Sequence, residues 1–148
     1  MEKYELWSVG RVRHPGGQTI IEIDPQYVPA LDGLAGFSHV WVIYWFHEHD
    51  DPQSRQLLKV HPRNNPANPL TGVFGTRSPR RPNLIGLSAV RILGIENNLI
   101  WLDKLDAREG TPVVDLKPYL PGIDLHPEAT TPAWVTRAGS GPRETQAH

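Results

Sequence analysis

The longest apolar pattern in the chain is Ser38 to Phe46, S-H-V-W-V-I-Y-W-F. Val40, Val42, Tyr44 and Phe46 fall on one alternating face, and Trp41, Ile43 and Trp45 on the other. A strand apolar on both faces is expected at the centre of a sheet, in a barrel or in a dimer interface. It ends abruptly in the polar run His47-Glu48-His49-Asp50-Asp51. Shorter strand patterns precede it. Tyr4–Arg13 carries Leu6, Val9 and Val12 among polar residues, His14-Pro15-Gly16-Gly17 reads as a turn, and Thr19–Ile23 is β-branched. Asp24-Pro25 can start a helical turn or two before Pro29, Gly33 and Gly36 interrupt it. Downstream, Leu57–Val60 is a short apolar piece ahead of the Pro- and Asn-rich loop His61–Pro69. Leu87–Ile95 and Leu99–Leu102 read as strands joined by a hairpin turn at Glu96-Asn97-Asn98. Val113–Tyr119 is a strand whose polar members Asp115 and Lys117 share a face. No stretch keeps a helical period for long, and 15 prolines punctuate the 148 residues. The pattern predicts an all-β fold, a small closed or partly open barrel or a sandwich with short helical decorations. The barrel is expected over residues 1–121. After Pro121 the apolar content drops, so residues 122–148 are expected to form an extended, partly disordered tail, with disorder from Ala138 onward.

Composition sharpens this in three ways. The chain has no cysteine, which removes disulfides, thiolate nucleophiles and cysteine-bound metals. It has no apolar run of membrane-spanning length and a charged N-terminus without a signal-peptide core, so a cytoplasmic protein is expected. The net charge of −1 conceals an asymmetry: Pro52–Ile95 holds seven Arg and Lys residues and no Asp or Glu. A basic block of that kind suits an anionic partner.

The centre of this block is Val73–Leu87, V-F-G-T-R-S-P-R-R-P-N-L-I-G-L. Val73-Phe74 and Ile85-Gly86-Leu87 read as strand ends. Between them Arg77, Arg80, Arg81 and Asn83 sit in a loop stiffened by Pro79 and Pro82, with donors suited to phosphate, carboxylate or a base edge. Other chemistries find less support. His47, His49 and Asp51 alternate along an extended backbone, yet no third histidine stands at a familiar ligand spacing, so no metal is expected. His39 reads as a hydrogen-bonded core residue. Neither a dinucleotide fingerprint nor a P-loop is present, and Ser78 and Ser88 lack a nucleophile elbow. In Leu105–Tyr119, Asp106 and Glu109 lie beside Gly110, where backbone can approach a ligand, and Asp115 with Lys117 reads as a same-face ion pair.

Three strings occur together: F-S-H-V-W-V-I-Y-W-F-H (Phe37–His47), G-V-F-G-T-R-S-P-R-R-P-N-L-I-G-L-S (Gly72–Ser88) and L-D-A-R-E-G-T-P-V-V-D-L-K-P-Y-L-P (Leu105–Pro121). In order and spacing they resemble the TsaA-like family, whose characterised members are the TrmO tRNA methyltransferases, over most of Tyr4–Pro121. The resemblance implies a small non-Rossmann β-barrel that binds S-adenosylmethionine, usually as a homodimer. The activity it implies is methylation of N6 of threonylcarbamoyl-adenosine beside the tRNA anticodon. Carried over by position, Phe46, His47, Arg77, Leu87, Asp106, Ala107, Arg108 and Glu109 would be cofactor-binding. For Arg77 the ligand would be the methionine carboxylate or an RNA phosphate. Arg80, Arg81 and Asn83 would lie around the substrate, and Asp115, Lys117 and Tyr119 would be catalytic, Asp115 accepting the N–H of the acceptor amine. The basic block would meet anticodon-arm phosphates, and exposed aromatics would stack unpaired bases.

The chain departs from the family pattern in several places. Only His14–Gln18 separates the first two strands, where the family commonly has a longer segment that contributes to the cofactor site. Only 27 residues follow Pro121, where many bacterial members carry a further domain. Gly75 and Leu84 stand where alanine and proline are common, and Glu109 where aspartate is. Two alternatives follow: a methyltransferase of a small-molecule acceptor, and a non-catalytic S-adenosylmethionine-binding regulator.

Overall fold

In a computed structural model the protein is described over residues 1–138, and the tail expectation for residues 139–148 lies outside them. The chain divides into two compact units. One comprises Met1–Trp45 and Ile85–Tyr119, the other Phe46–Leu84 and the segment from Leu120 onward.

The first unit is a closed antiparallel barrel, as the strand pattern predicts. Its six strands are β1 (Gly10–Arg13), β2 (Thr19–Ile23), β3 (His39–Trp45), β6 (Ile85–Glu96), β7 (Leu99–Leu102) and β8 (Pro112–Pro118). They run around the barrel in the order β1-β2-β7-β6-β3-β8. Val12, Ile21, Val40, Val42, Ile100 and Val113 are fully buried and fill the interior. β3 pairs with both β6 and β8, so it is central. Its inward face (Val40, Val42, Tyr44) is buried, whereas Trp41, Ile43 and Trp45 on the outward face are only half-buried. A single barrel wall offers these large side chains only their in-plane neighbours, so the burial expected on both sides is reached on one.

Three local features differ from the sequence pattern or refine it. First, the strand expected over Tyr4–Arg13 is laddered only from Gly10. Beyond Val9, whose N–H donates to the Val113 carbonyl at 2.7 Å, the chain has no strand partner, and Tyr4, Leu6 and Trp7 are exposed. Alternation supplies the faces of a strand but not the neighbour that completes its ladder. Gly10 marks the close approach of β1 and β2, because a Cβ there would press into the Glu22 carbonyl oxygen. Second, the turn expected at Glu96-Asn97-Asn98 forms, with Asn97 at a φ of 55°. Asn98 pins it to the end of β2 by donating its side-chain amide to the Ile23 carbonyl (3.1 Å) while its own carbonyl accepts from Ile23 N–H (2.8 Å). Third, β8 slips against β3: Ile43 faces Asp115, yet Tyr44 faces Val113. Val114 is the extra residue of this bulge, which places Val113 inward while Asp115 and Lys117 turn outward.

The second unit holds α1 (Pro52–Gln56), a two-stranded ladder of β4 (Lys59–Val60) with β5 (Thr71–Gly72), and the short helices α2 (Pro121–Asp124) and α3 (Ala133–Ala138). The loop between β4 and β5 closes on itself: Asn68 is buried, donates its amide to the Pro62 carbonyl (2.9 Å) and offers its own carbonyl to His61 Nδ1 (2.8 Å). Val73-Phe74, expected as a strand end, lies in a 3-10 turn (Val73–Gly75) with Val73 buried and Phe74 exposed. A β-branched and an aromatic residue favour a strand only where a ladder partner exists.

Candidate functional site

In the barrel unit, the register gathers several sequence-selected residues on one outer wall. Ile43 pairs with Leu87 on β6 and with Asp115 on β8, and Trp41 pairs with Ala89 and Lys117. Leu87, Asp115 and Lys117 therefore flank the outward side chains of β3. Tyr119 follows on the same wall, its ring centroid 5.5 Å from Trp41 and 6.1 Å from His39, in tilted arrangements. Lys117 Nζ is 3.9 Å from Asp115 Oδ2, and Asp115 Oδ1 accepts from the Leu116 N–H at 2.8 Å. The carboxylate is exposed and held in one orientation by its own backbone. His39, expected in the core, is instead a half-buried member of this wall, its Nδ1 2.8 Å from Ser38 Oγ. Sequence reasoning left Trp41 and Ile43 out of the candidate site. Their signal was the second apolar face of β3.

Asp106–Glu109 lie at the end of the barrel where β1 finishes and β2 begins. Glu109 Oε2 accepts the His14 N–H (2.7 Å) and Oε1 takes the Arg13 guanidinium (3.4 Å). His14 Nε2 meets the Ala107 carbonyl at 2.6 Å, and Gly110, at a φ of 81°, donates its N–H to the Val12 carbonyl. Ala107 and Glu109 thus tie this segment to the β1–β2 turn, with Asp106 half-buried and Arg108 exposed beside them.

The second unit carries the basic loop and the end of the aromatic run. Its loop is braced from within. Thr76 Oγ1 donates to the Val73 carbonyl (2.9 Å) and accepts from Ser78 N–H (3.2 Å), while Ser78 Oγ accepts from Arg80 N–H (3.2 Å). Arg81 Nη1 donates to the Thr76 and Ser78 carbonyls at 3.3 and 3.0 Å. Arg55, which sequence reasoning placed only within the basic block, donates Nε to the Pro82 carbonyl (2.9 Å) and Nη2 to Asn83 Oδ1 (3.4 Å). Arg81 is therefore a strut of the loop and Asn83 one of its anchor points, while Arg77 and Arg80 are its exposed cationic side chains. Such a loop loses little conformational entropy when an anion binds.

Phe46 is buried, its N–H donating to the Leu84 carbonyl at 2.8 Å, and Leu84 is fully buried. His47 Nδ1 is a buried nitrogen without a hydrogen-bond partner, a condition that costs free energy and suits a position completed by a ligand. His47–His49 forms a 3-10 turn, which removes the extended geometry on which a metal reading of His47, His49 and Asp51 depended. Among the described residues no group of three or more His, Cys, Asp or Glu is placed to hold a metal ion.

Asp51 serves as the N-cap of α1, its Oδ1 accepting Ser54 N–H (2.7 Å) and its Oδ2 accepting Ser54 Oγ–H (3.0 Å). These two bonds, the backbone one first, hold its carboxyl below the ordinary value of 3.8. Slight burial opposes them, and Arg80 and His49 reinforce them. A carboxyl depressed in the folded state contributes stability in full above its unfolded value, and that contribution is lost as pH falls through the folded value. Melting curves between pH 2 and pH 6 are therefore expected to show a steeper acid loss for the wild type than for Asp51→Ala. Parallel curves would show that the cap contributes nothing.

Comparison with known proteins agrees with the barrel. A crystal structure of TrmO from P. aeruginosa superposes with a TM-score of 0.70 at 31% identity, covering 90% of this chain and 62% of that one. A probable S-adenosyl-L-methionine-binding protein of Methanocaldococcus jannaschii is 43% identical over 121 residues, 82% of this chain and 96% of that protein. The human tRNA (adenine(37)-N6)-methyltransferase is 43% identical over 95 residues, 64% of this chain and 21% of that enzyme. The chain thus spans nearly all of its archaeal relative but less than two thirds of the TrmO crystal chain. The closed barrel and these similarities place the chain in the class of β-barrel methyltransferases. More particularly, the chain belongs to the family of the tRNA-methyltransferase O N-terminal domain, whose model matches residues 11–125.

Proposed function

We propose that this protein is an S-adenosylmethionine-dependent methyltransferase that modifies N6 of threonylcarbamoyl-adenosine next to the tRNA anticodon. Family membership supports the methyltransferase class and its cofactor. The observation that carries the acceptor reading is the outer wall, where a carboxylate, an ammonium and two aromatic rings stand side by side. When bound, the cofactor supplies a methyl group already activated on a sulfonium.

The residues present fit that cofactor. Phe46 offers an apolar surface, the unpartnered Nδ1 of His47 a polar contact, and Arg77 a guanidinium for the carboxylate of the methionine moiety or for an RNA phosphate. In the barrel unit the family resemblance assigns Leu87, Asp106, Ala107, Arg108 and Glu109 to the cofactor, and Glu109 and Ala107 fix the shape of their segment.

The work of the chain is alignment and proton handling, because the donor needs no further activation. An exocyclic adenine nitrogen is weakly nucleophilic, its lone pair being delocalised into the ring. Asp115 Oδ2 accepts its N–H and takes the proton as the new N–C bond forms, and Lys117 balances the carboxylate's charge. The Trp41–Tyr119 pair supplies ring faces on which an unpaired base stacks. Arg80, with other exposed cations of the basic block, binds phosphates of the anticodon arm, while Arg81 and Asn83 hold the loop in shape. Assembly as a homodimer and residence in the cytoplasm belong to the same reading.

The test is labelled methyl transfer from S-adenosylmethionine to tRNA with and without the threonylcarbamoyl group. Label is expected only in the modified tRNA, with transfer by Arg77→Ala reduced at least about a hundredfold. Activity should also fall steeply between 50 and 200 mM salt if several phosphates are neutralised. Modified tRNA that stays unlabelled would overturn the acceptor assignment. Activity insensitive to salt would instead favour a small-molecule acceptor. Tight cofactor binding without any methylated product would favour a regulator.

A further inference from the structure

The barrel has a concavity that none of the proposed cofactor residues lines, although Asp115 of the proposed acceptor wall is among its lining. It is a half-open cavity of about 330 Å³ at the end where β2 finishes and β3 begins, opposite the end that carries Asp106–Glu109. The 3-10 turn Pro25–Leu31 and the segment leading to Phe37 cover it. Ile23, Leu34, Phe37 and Leu116 give it apolar walls, and Tyr27 brings a hydroxyl. Its charged lining is wholly acidic: Asp32 and Asp115 contribute, and no Lys, Arg or His does. The Asp115 carboxylate is engaged by Lys117 and by its own backbone, so the exposed Asp32 is the carboxylate that faces a ligand's charge. None of the residues assigned to the cofactor lines the cavity.

We infer that this cavity binds a compact organic cation, an aromatic or branched aliphatic body of about ten heavy atoms bearing one protonated amine. The volume lies at the lower end of small-molecule sites, which are mostly apolar with a few polar groups that set orientation. The apolar walls take the body by area burial. The acidic lining selects the charge: an ammonium near Asp32 is attracted, and a carboxylate or phosphate is repelled without a cation to compensate it. This excludes the anionic groups of a nucleotide; because Asp115 belongs also to the proposed acceptor wall, the test rests on Asp32 and Ala30, which the methyl-transfer reading does not use.

The test uses one indole body with three charges: tryptamine, tryptophol and indole-3-propionate, titrated into the full chain by calorimetry and ligand-observed NMR. Tryptamine is expected to bind about tenfold more tightly than tryptophol, with indole-3-propionate weaker still. Asp32→Asn, at an exposed position, should bring tryptamine and tryptophol to similar affinity without moving the melting temperature. Ala30→Trp places a bulky ring on the cavity wall from another exposed position and should abolish binding of all three. The inference is overturned if the folded wild type binds none of them at millimolar concentration, if the three bind alike, or if Ala30→Trp leaves tryptamine affinity intact.

Discussion

Asp115→Asn is expected to lower single-turnover methyl transfer to modified tRNA by about a hundredfold to a thousandfold while leaving the fold intact. The asparagine keeps the size of the side chain and one carbonyl oxygen for the Leu116 N–H, which the carboxylate accepts at 2.8 Å. What it removes is the basic oxygen that receives the proton in the proposed mechanism. Proton transfer by a positioned group commonly contributes two to four orders of magnitude, roughly the expected loss. The partner charge matters less for stability. The Asp115–Lys117 contact is 3.9 Å long and both side chains are more than half exposed, so solvent screens it and the melting temperature should scarcely move. Cofactor affinity, measured by calorimetry, should also be unchanged. A variant with wild-type rate would show that Asp115 is only a surface ion-pair member and that the acceptor amine loses its proton elsewhere.

The second large effect concerns the barrel itself. Gly10→Ala is expected to destabilise the protein by about 2 to 3 kcal/mol, the upper part of the range for overpacked sites. Gly10 is buried and pairs with Ile23 on β2 and Val113 on β8, so backbone flanks it on both sides. The added methyl would meet the Glu22 carbonyl oxygen and the Ile23 Cα, neither of which can rotate away as a side-chain tip could. The β1–β2 ladder must part or tilt, and β1 is also the strand that closes the barrel against β8. Thermal unfolding should show a midpoint lowered by roughly 5 to 10 °C for a domain of this size. A shift below about 1 °C would mean that the close approach relaxes without cost.

The barrel was legible because its strands announce themselves locally. The period-two pattern of β3, the Asn97-Asn98 turn and the polar pair on β8 each express one element's own preference, and the elements agree with one another. The misreadings came where an element depends on a neighbour. Tyr4–Ser8 has strand alternation but no ladder partner, and Val73-Phe74 has strand-forming residues in a turn. The candidate residues stood out in the sequence as a set, but how their side chains are engaged did not. Nothing in T-R-S-P-R-R-P-N distinguishes three arginines, since their roles depend on where the loop aims its carbonyls. Arg81 finds those of Thr76 and Ser78, so it braces the loop that presents Arg77 and Arg80. Likewise, the importance of Trp41 follows from the register with Lys117 and the contact with Tyr119, neither of which is written in the strand's own sequence.

The slip of β8 against β3 bears on how the chain tolerates changes in length. Strict alternation along V-V-D-L-K would put Val113, Asp115 and Lys117 on one side. The extra residue at Val114 resets the phase, so Val113 stays in the core while the two charged residues face out. Loss of Val114 would heal the irregularity and leave both faces as they are. Loss of a single residue between Asp115 and Tyr119 would exchange them, driving charge into the barrel and leucine onto its surface. Related chains can therefore differ by one residue before the aspartate, but the count from that aspartate to the tyrosine is fixed by the wall they share.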